Sequence, residues 1–217
     1  MALSGTLGSK IGLRNVDDII AGVRAFQRDV YPQQWKLFER LAAGQSPEAL
    51  VITCSDSRVD TQLLTQSEPG KLFELRNAGN LVPRYGGPIG GVTATIEFAV
   101  VALRVPNIII CGHSGCGAMA GLLNPEQLRG MPRVAEWLKH AAVVRDSLSA
   151  AGLLDAPDAL QRAVEANVIV QLDHLRTHPA VADALSSSRI ELHGWVYHIA
   201  TGEVTTYDAE QKRFTQL

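Results

Sequence analysis

The amino-acid sequence predicts an α/β fold in which a mostly parallel central sheet is flanked by helices. Two short apolar runs rich in β-branched residues, 50–54 and 107–111, are typical of strands buried on both faces. Segments with helical periodicity lie before, between and after these runs. Strands that alternate with helices along a chain imply a parallel sheet covered by helices on both sides.

The N-terminal stretch, residues 16–44, is predicted to be helical because apolar residues such as Ile19, Val23 and Phe26 recur at helical spacing. Pro32 removes a backbone donor, so we expect it to divide the stretch into two helices, the second over 33–43. We expect these amphipathic helices to pack on a partner subunit.

The remaining elements are predicted from the same two periodicities. In chain order we expect a strand over 71–76, a glycine-rich loop over 83–91, a helix over 92–103, a short helix over 116–123, helices near 133–150 and 157–176, and a late strand with a hairpin within 191–207. No linker divides the chain, so a single domain over 1–217 is predicted, with an N-terminal helical arm over 1–44 and an α/β core over 45–217.

Composition excludes several classes of protein. The 217 residues include 20 Lys and Arg against 22 Asp and Glu, so there is no basic excess to favour nucleic acid as a partner. No apolar stretch of about 18 residues predicts a membrane-spanning helix. Three cysteines argue against a disulfide framework. Together with the lack of a secretory signal, they lead us to expect a cytoplasmic protein, or one in a microcompartment or organelle stroma.

Two segments at strand ends carry metal-binding side chains: residues 54–58, Cys-Ser-Asp-Ser-Arg, and residues 113–116, His-Ser-Gly-Cys. Ligands of open parallel sheets gather beyond the carboxyl ends of the strands, so two thiols and an imidazole are expected to lie close together. Zinc accepts such ligands tetrahedrally, and three protein ligands leave a fourth position open, as in catalytic sites. Cys111 lies on the strand itself and is predicted to belong to the core.

Each segment alone is a weak signal, but their combination resembles the zinc signature of the β-class carbonic anhydrases. The resemblance extends over roughly residues 16–200. It implies one Zn2+ per chain held by Cys54, His113 and Cys116, so that residues 45–217 form an α/β zinc core. It also implies a catalytic pair, Asp56 and Arg58. The expected reaction is the reversible hydration of CO2 to bicarbonate and a proton, in which a zinc-bound hydroxide oriented by this pair attacks the carbon.

The plant-type subgroup of that family provides further expectations. Its glutamine nine residues before the first cysteine ligand matches Gln45, and its pocket aromatics match Phe73 and Phe98. Ala78 is expected to add apolar surface for CO2, and the Gly117 N–H to donate to bicarbonate. In that subgroup the glutamine and aromatics reach the zinc across a subunit boundary, which implies a homodimer or a dimer of dimers.

A second subgroup binds bicarbonate at an inhibitory pocket made by a Trp, an Arg and a Tyr. Arg76 and Tyr197 could supply two of these side chains. Val51 stands at the Trp position, so we expect the pocket to be incomplete and this mode of inhibition to be lacking.

Three alternative functions compete with CO2 hydration. Some proteins on the same scaffold hydrolyse carbonyl sulfide or carbon disulfide, and direct assay separates these from CO2 hydration. A serine hydrolase elbow, G-x-S-x-G, would begin at Gly112 but requires glycine where Cys116 stands. A zinc-stabilised binding module would need a closed, four-ligand site and no activity.

Overall fold

The computed structural model describes residues 16–87 and 90–217, and the chain divides into two compact units after Gln45. In the first unit, helix α1 (Asp17–Ala25) continues as a π-helical turn over 26–30 and a 3-10 turn over 31–33, which precedes helix α2 (Trp35–Ala42). The ring of Phe38 lies 5.6 Å from that of Phe26 and 5.3 Å from that of Tyr31. The prediction of two helices interrupted at Pro32 is confirmed.

The second unit is built on one six-stranded sheet in the order β2-β1-β3-β4-β5-β6. Strands β1 (Ala49–Cys54), β2 (Leu72–Asn77), β3 (Asn107–His113) and β4 (Glu191–Tyr197) are parallel. Strands β5 (Val204–Asp208) and β6 (Arg213–Gln216) continue the sheet antiparallel. The predicted α/β fold with a mostly parallel sheet is confirmed.

Helices connect and cover these strands. They are α3 (Thr61–Thr65), α4 (Gly91–Glu97), α5 (Gly117–Leu123), α6 (Pro132–Leu138), α7 (Ala142–Ala150), α8 (Ala159–Arg176) and α9 (Pro179–Ser186). The long helix α8 packs on β3 and β4. No helix among the described residues is long and apolar enough to cross a membrane.

Alternation along the central strands explains why their sequences are continuously apolar. Ile52 and Ile110 lie in the larger core cluster on one face of the sheet, whereas Val51, Ile109 and Cys111 form a second buried cluster. A strand covered on both faces has no solvent-facing position to mark with polar residues. Cys111 is therefore a core residue, as predicted, and burial raises the pKa of its thiol to about 12.

Some element boundaries differ from the predictions. The helix predicted over 92–103 is α-helical only to Glu97 and continues as a π-helical turn over 98–102. The helix predicted near 133–150 is divided by a 3-10 turn over 139–141. Helices α3 and α9 and strand β6 were not predicted. Strand β6 is short. The ring of its Phe214 lies 5.4 Å from the ring of Tyr207 in the neighbouring strand β5, a contact that exists only once the sheet has folded.

Candidate metal centre

The carboxyl ends of β1 and β3 bring three metal-binding side chains together. Thr53 pairs with Cys111, so Cys54 at the end of β1 lies beside the end of β3, where His113 is the last strand residue. Cys116 follows three residues after His113, as the N-cap of α5. The ligand atoms of Cys54, His113 and Cys116 all lie within 4.8 Å of one another, and all three residues are buried.

His113 presents a free nitrogen to this cluster. Its side chain is 0% exposed, and Nδ1 lies 3.0 Å from the carbonyl oxygen of Ser114, to which it can donate its proton. Nε2 is buried and has no hydrogen-bond partner among the described residues. A buried polar atom without a partner is costly unless something binds it. A neutral imidazole with Nδ1–H held by a carbonyl is the usual form of a metal-ligating histidine.

The two sulfur atoms are also arranged as ligands. A hydrogen bond from Cys116 lowers the pKa of the Cys54 thiol, and the amide of Gly79 donates to the Cys54 Sγ at 3.4 Å. The same contact and burial raise the pKa of Cys116, so its thiol gives up its proton less readily than that of Cys54. A divalent ion binds thiolates and displaces such a proton. Two sulfurs and one imidazole nitrogen form a donor set that fits zinc and leaves one tetrahedral position for another ligand.

Asp56 and Arg58 form a pair at the rim of this cluster. Arg58 Nε donates to Asp56 Oδ1 at 2.9 Å, and Arg58 Nη2 donates to Oδ2 at 2.7 Å. This hydrogen bonding holds the pKa of the Asp56 carboxyl well below its usual range. Asp56 Oδ2 lies 3.8 Å from His113 Nε2, and Arg58 also donates to the Gly115 carbonyl at 3.1 Å. The carboxylate therefore lies next to the ligand cluster and is oriented by two parallel hydrogen bonds.

Arg76 organises the loop that carries these residues. Its guanidinium donates to the carbonyl oxygens of Cys54 at 2.9 Å, Asp56 at 2.9 Å and Val59 at 2.7 Å. Sequence reasoning placed Arg76 only in an inhibitory bicarbonate pocket and missed this contact. No sequence pattern around Arg76 predicts these hydrogen bonds, because the three carbonyls lie 17 to 22 residues away in the chain.

The predicted substrate-binding residues lie at different distances from the cluster. Gly117 begins α5 directly after Cys116, and Ala78 follows β2, beside the end of β1. Phe73 pairs with Leu50, four residues before Cys54, which places it about 13 Å along the sheet from the cysteine.

The ring of Phe98 lies 6.0 Å from that of Phe73, so both aromatics lie away from their own chain's cluster. Gln45 is the last residue of the first unit.

The fold and the cluster define a class: an α/β protein with three side chains that could hold a metal ion at the carboxyl edge of its parallel strands. Comparison with known proteins identifies the family. The carbonic anhydrase family model matches residues 49–204. A carbonic anhydrase of Pseudomonas aeruginosa is 50% identical over 200 residues, covering 92% of this chain and 91% of that protein. Carbonic anhydrase 1 of Escherichia coli is 48% identical with the same coverage.

Solved structures agree with these sequence matches. The β-carbonic anhydrase CcaA superposes with a TM-score of 0.90 at 44% identity and covers 93% of this chain and 99% of its own. A Coccomyxa β-carbonic anhydrase in complex with acetazolamide gives a TM-score of 0.78 at 30% identity, with coverages of 89% and 86%. The chain belongs to the carbonic anhydrase family, in its β class. The predicted family and enzyme class are thereby confirmed.

Proposed function

We propose that this protein catalyses the reversible hydration of CO2 to bicarbonate and a proton at a zinc ion held by Cys54, His113 and Cys116. The observation that carries the proposal is the convergence of three buried ligand atoms within 4.8 Å. Membership of the carbonic anhydrase family supports the reaction. When bound, zinc would supply an acidified water as the nucleophile.

The chain's own residues would orient this reaction. The Asp56 carboxylate can accept a hydrogen bond beside the cluster and thereby fix a proton away from the substrate. Arg58 keeps that carboxylate ionised and aimed, because both of its oxygens are engaged by the guanidinium. Because Arg58 engages both of its oxygens, the Asp56 carboxylate would not itself bind the metal. One coordination position would therefore stay available for solvent.

Charge predicts how the rate depends on pH. Two thiolates and a neutral histidine cancel the charge of a divalent zinc ion, whereas three histidines would leave it uncompensated. A weaker net charge acidifies water less, so activity is expected to rise towards alkaline pH. Asp56, whose pKa lies well below its usual range, stays ionised throughout such an assay and is not the source of this rise.

Substrate binding is proposed to involve a second copy of the chain. Phe73 and Phe98 lie too far from the cluster of their own subunit, yet the Phe98 side chain is 49% exposed. By the family resemblance, a neighbouring subunit would receive these rings and Gln45, and its own Ala78 and Gly117 would complete the pocket. Two β-carbonic anhydrases of Sordaria macrospora are described as tetrameric, which supports a homo-oligomer here.

The plant-type subgroup, the cytoplasmic location and the absence of a nucleic-acid partner stay predictions.

Metal analysis combined with an assay of CO2 hydration tests the proposal. The wild type is expected to bind one zinc per chain and to hydrate CO2, and Cys54→Ala to lose both properties. Cys111→Ala is the matched control, because it removes a buried thiol outside the cluster. A Cys54→Ala variant with full zinc and activity would refute the ligand assignment. Assaying carbonyl sulfide with the same preparations separates CO2 hydration from the alternative hydrolase.

Mixing two inactive variants tests the shared pocket. Cys54→Ala lacks a ligand and Phe73→Ala lacks a pocket ring, so each homodimer should be impaired. In a mixed dimer one site combines the intact cysteine of one chain with the intact ring of the other. Activity should therefore reappear after the variants are co-refolded. A mixture no more active than the mean of its components would show that the aromatic acts within its own subunit or not at all.

A further inference from the structure

One peptide unit links a tryptophan to a ligand sulfur. The indole Nε1 of Trp137 donates to the carbonyl oxygen of Ala78 at 2.9 Å. The N–H at the other end of that same peptide, from Gly79, donates to the Cys54 Sγ at 3.4 Å. Hydrogen bonds that share a peptide group polarise it and strengthen one another. Trp137 is thus connected to the metal cluster through a single amide.

Gly79 allows this amide to approach the sulfur. Its φ of +82° lies in the left-handed region that side chains rarely adopt. A Cβ at this position would lie 3.0 Å from the Cβ of Ala118 and 3.3 Å from the Cε of Met119 in α5. The backbone is therefore inserted between the Cys54 thiol and the first turn of the helix that follows Cys116.

Helix α8 holds the next peptide of the same loop. Asn167 Nδ2 donates to the Gly79 carbonyl at 3.0 Å, and Asn167 Oδ1 accepts from Gln171 Nε2 at 2.8 Å. Gln171 Oε1 accepts the Val82 N–H at 2.8 Å, and His174 Nδ1 lies 2.7 Å from the Val82 carbonyl. Asn167 is 1% exposed and Gln171 0%, so these hydrogen bonds are made where water cannot replace them.

We propose that Trp137 and Asn167 are positioning residues for the metal centre, which fix the peptides on either side of Gly79 so that its N–H points at the Cys54 sulfur. This inference rests on the proposed function, because it assigns the hydrogen bond to a metal-bound thiolate. An N–H donated to a thiolate withdraws negative charge from the sulfur. Loss of the indole donor should therefore misplace the amide and leave the sulfur more electron-rich and more easily protonated. Protons then compete better with the metal for the sulfur, so metal binding should weaken.

The experiment compares Trp137→Phe, which keeps an aromatic ring but removes Nε1–H, with Trp195→Phe as the matched control. Trp195 lies in β4 and its indole makes no hydrogen bond among the described residues. Zinc affinity is measured by competition with a chromophoric chelator. Cobalt-loaded protein is examined for its thiolate-to-metal charge-transfer band. Mutating a hydrogen-bond partner of a metal ligand typically weakens metal affinity about 10- to 100-fold. Trp137 acts through one intervening peptide, so we expect Trp137→Phe to weaken zinc binding by about 10-fold, at the lower end of that range.

Trp137→Phe is expected to bind zinc more weakly and to shift the charge-transfer band to longer wavelength, while Trp195→Phe matches the wild type. Wild-type affinity and an unshifted band in a folded Trp137→Phe protein would overturn the inference. If that variant does not fold, wild-type protein loaded with an NMR-active cadmium isotope decides the question. A coupling between the metal and the Gly79 amide proton is expected through the N–H···S bond, and its absence would overturn the inference.

The same preparations separate this inference from the proposed function. If the wild type binds zinc through Cys54 and hydrates CO2 but Trp137→Phe is unchanged, only the positioning role fails. If the wild type binds no zinc, the proposed function fails first and the positioning role falls with it.

Discussion

Replacing Gly112 by alanine tests whether the close packing of α8 on β3 positions His113, the proposed metal ligand that follows Gly112. A Cβ at Gly112 would lie 2.9 Å from Val168 Cγ2 and 3.2 Å from Val164 Cγ1 of α8. Favourable contacts between carbons lie at about 3.5–4.0 Å, so the helix or the strand must move. Val168 cannot move aside alone, since a β-branched side chain in a helix has one strongly preferred rotamer. His113, the next residue, would move with the strand.

The expected cost follows from two opposing effects. Overpacking a core by one methyl group costs about 1–3 kcal/mol. Alanine in a strand interior is favoured over glycine by about 0.5–1 kcal/mol, which offsets part of that cost. Gly112→Ala should therefore lower the free energy of unfolding by about 1–2 kcal/mol and weaken zinc binding.

Denaturant unfolding of Gly112→Ala, Val168→Ala and the double variant, at one protein concentration with zinc in excess, measures this coupling. Val168→Ala removes the γ-methyl group that clashes with the new Cβ. The double variant should therefore lose about 1–2 kcal/mol less unfolding free energy than the two single variants lose together. Gly117→Ala is the control, because a Cβ there meets nothing within 4 Å. Additive effects, or a Gly112→Ala protein as stable as the wild type, would refute the packing argument.

Further predictions follow from other contacts. Arg58→Lys keeps the charge but loses the bidentate contact to Asp56, so CO2 hydration should fall by about 100-fold while zinc content measured by metal analysis stays near one per chain. Arg76→Met leaves three carbonyls of the ligand loop without their donor and should lower the free energy of unfolding by about 1–3 kcal/mol, with early zinc loss on heating. Burial holds the pKa of His174 below the ordinary value of 6.5, so the unfolded chain binds its proton at a higher pH than the folded one. Stability is then present above pH 6.5 and declines as pH falls below it. In unfolding midpoints measured against pH, His174→Asn should show a smaller decline, and an equal decline would assign the effect to other groups.

Local sequence patterns were sufficient to predict the central elements and the clustering of Cys54, His113 and Cys116. Strands β1 and β3 were predicted because both faces are buried, which leaves an uninterrupted apolar run. The cluster was predicted because strand ends on one edge of a parallel sheet must be neighbours, and the side chains of Cys and His share a preference for zinc. Both arguments need only the order of residues and the chemistry of their side chains.

Contacts between distant residues could not be predicted in this way. No pattern near Trp137, Asn167 or Arg76 shows that each holds a loop next to a ligand, because their partners lie 17 to 88 residues away. The same limit applies to Phe73, whose separation from Cys54 is set by strand register. The sequence by itself determined which residues could bind a metal and at which edge of the sheet they would lie. Only the tertiary structure decided how they are held, because the hydrogen bonds that aim them form between segments that meet only when the chain is folded.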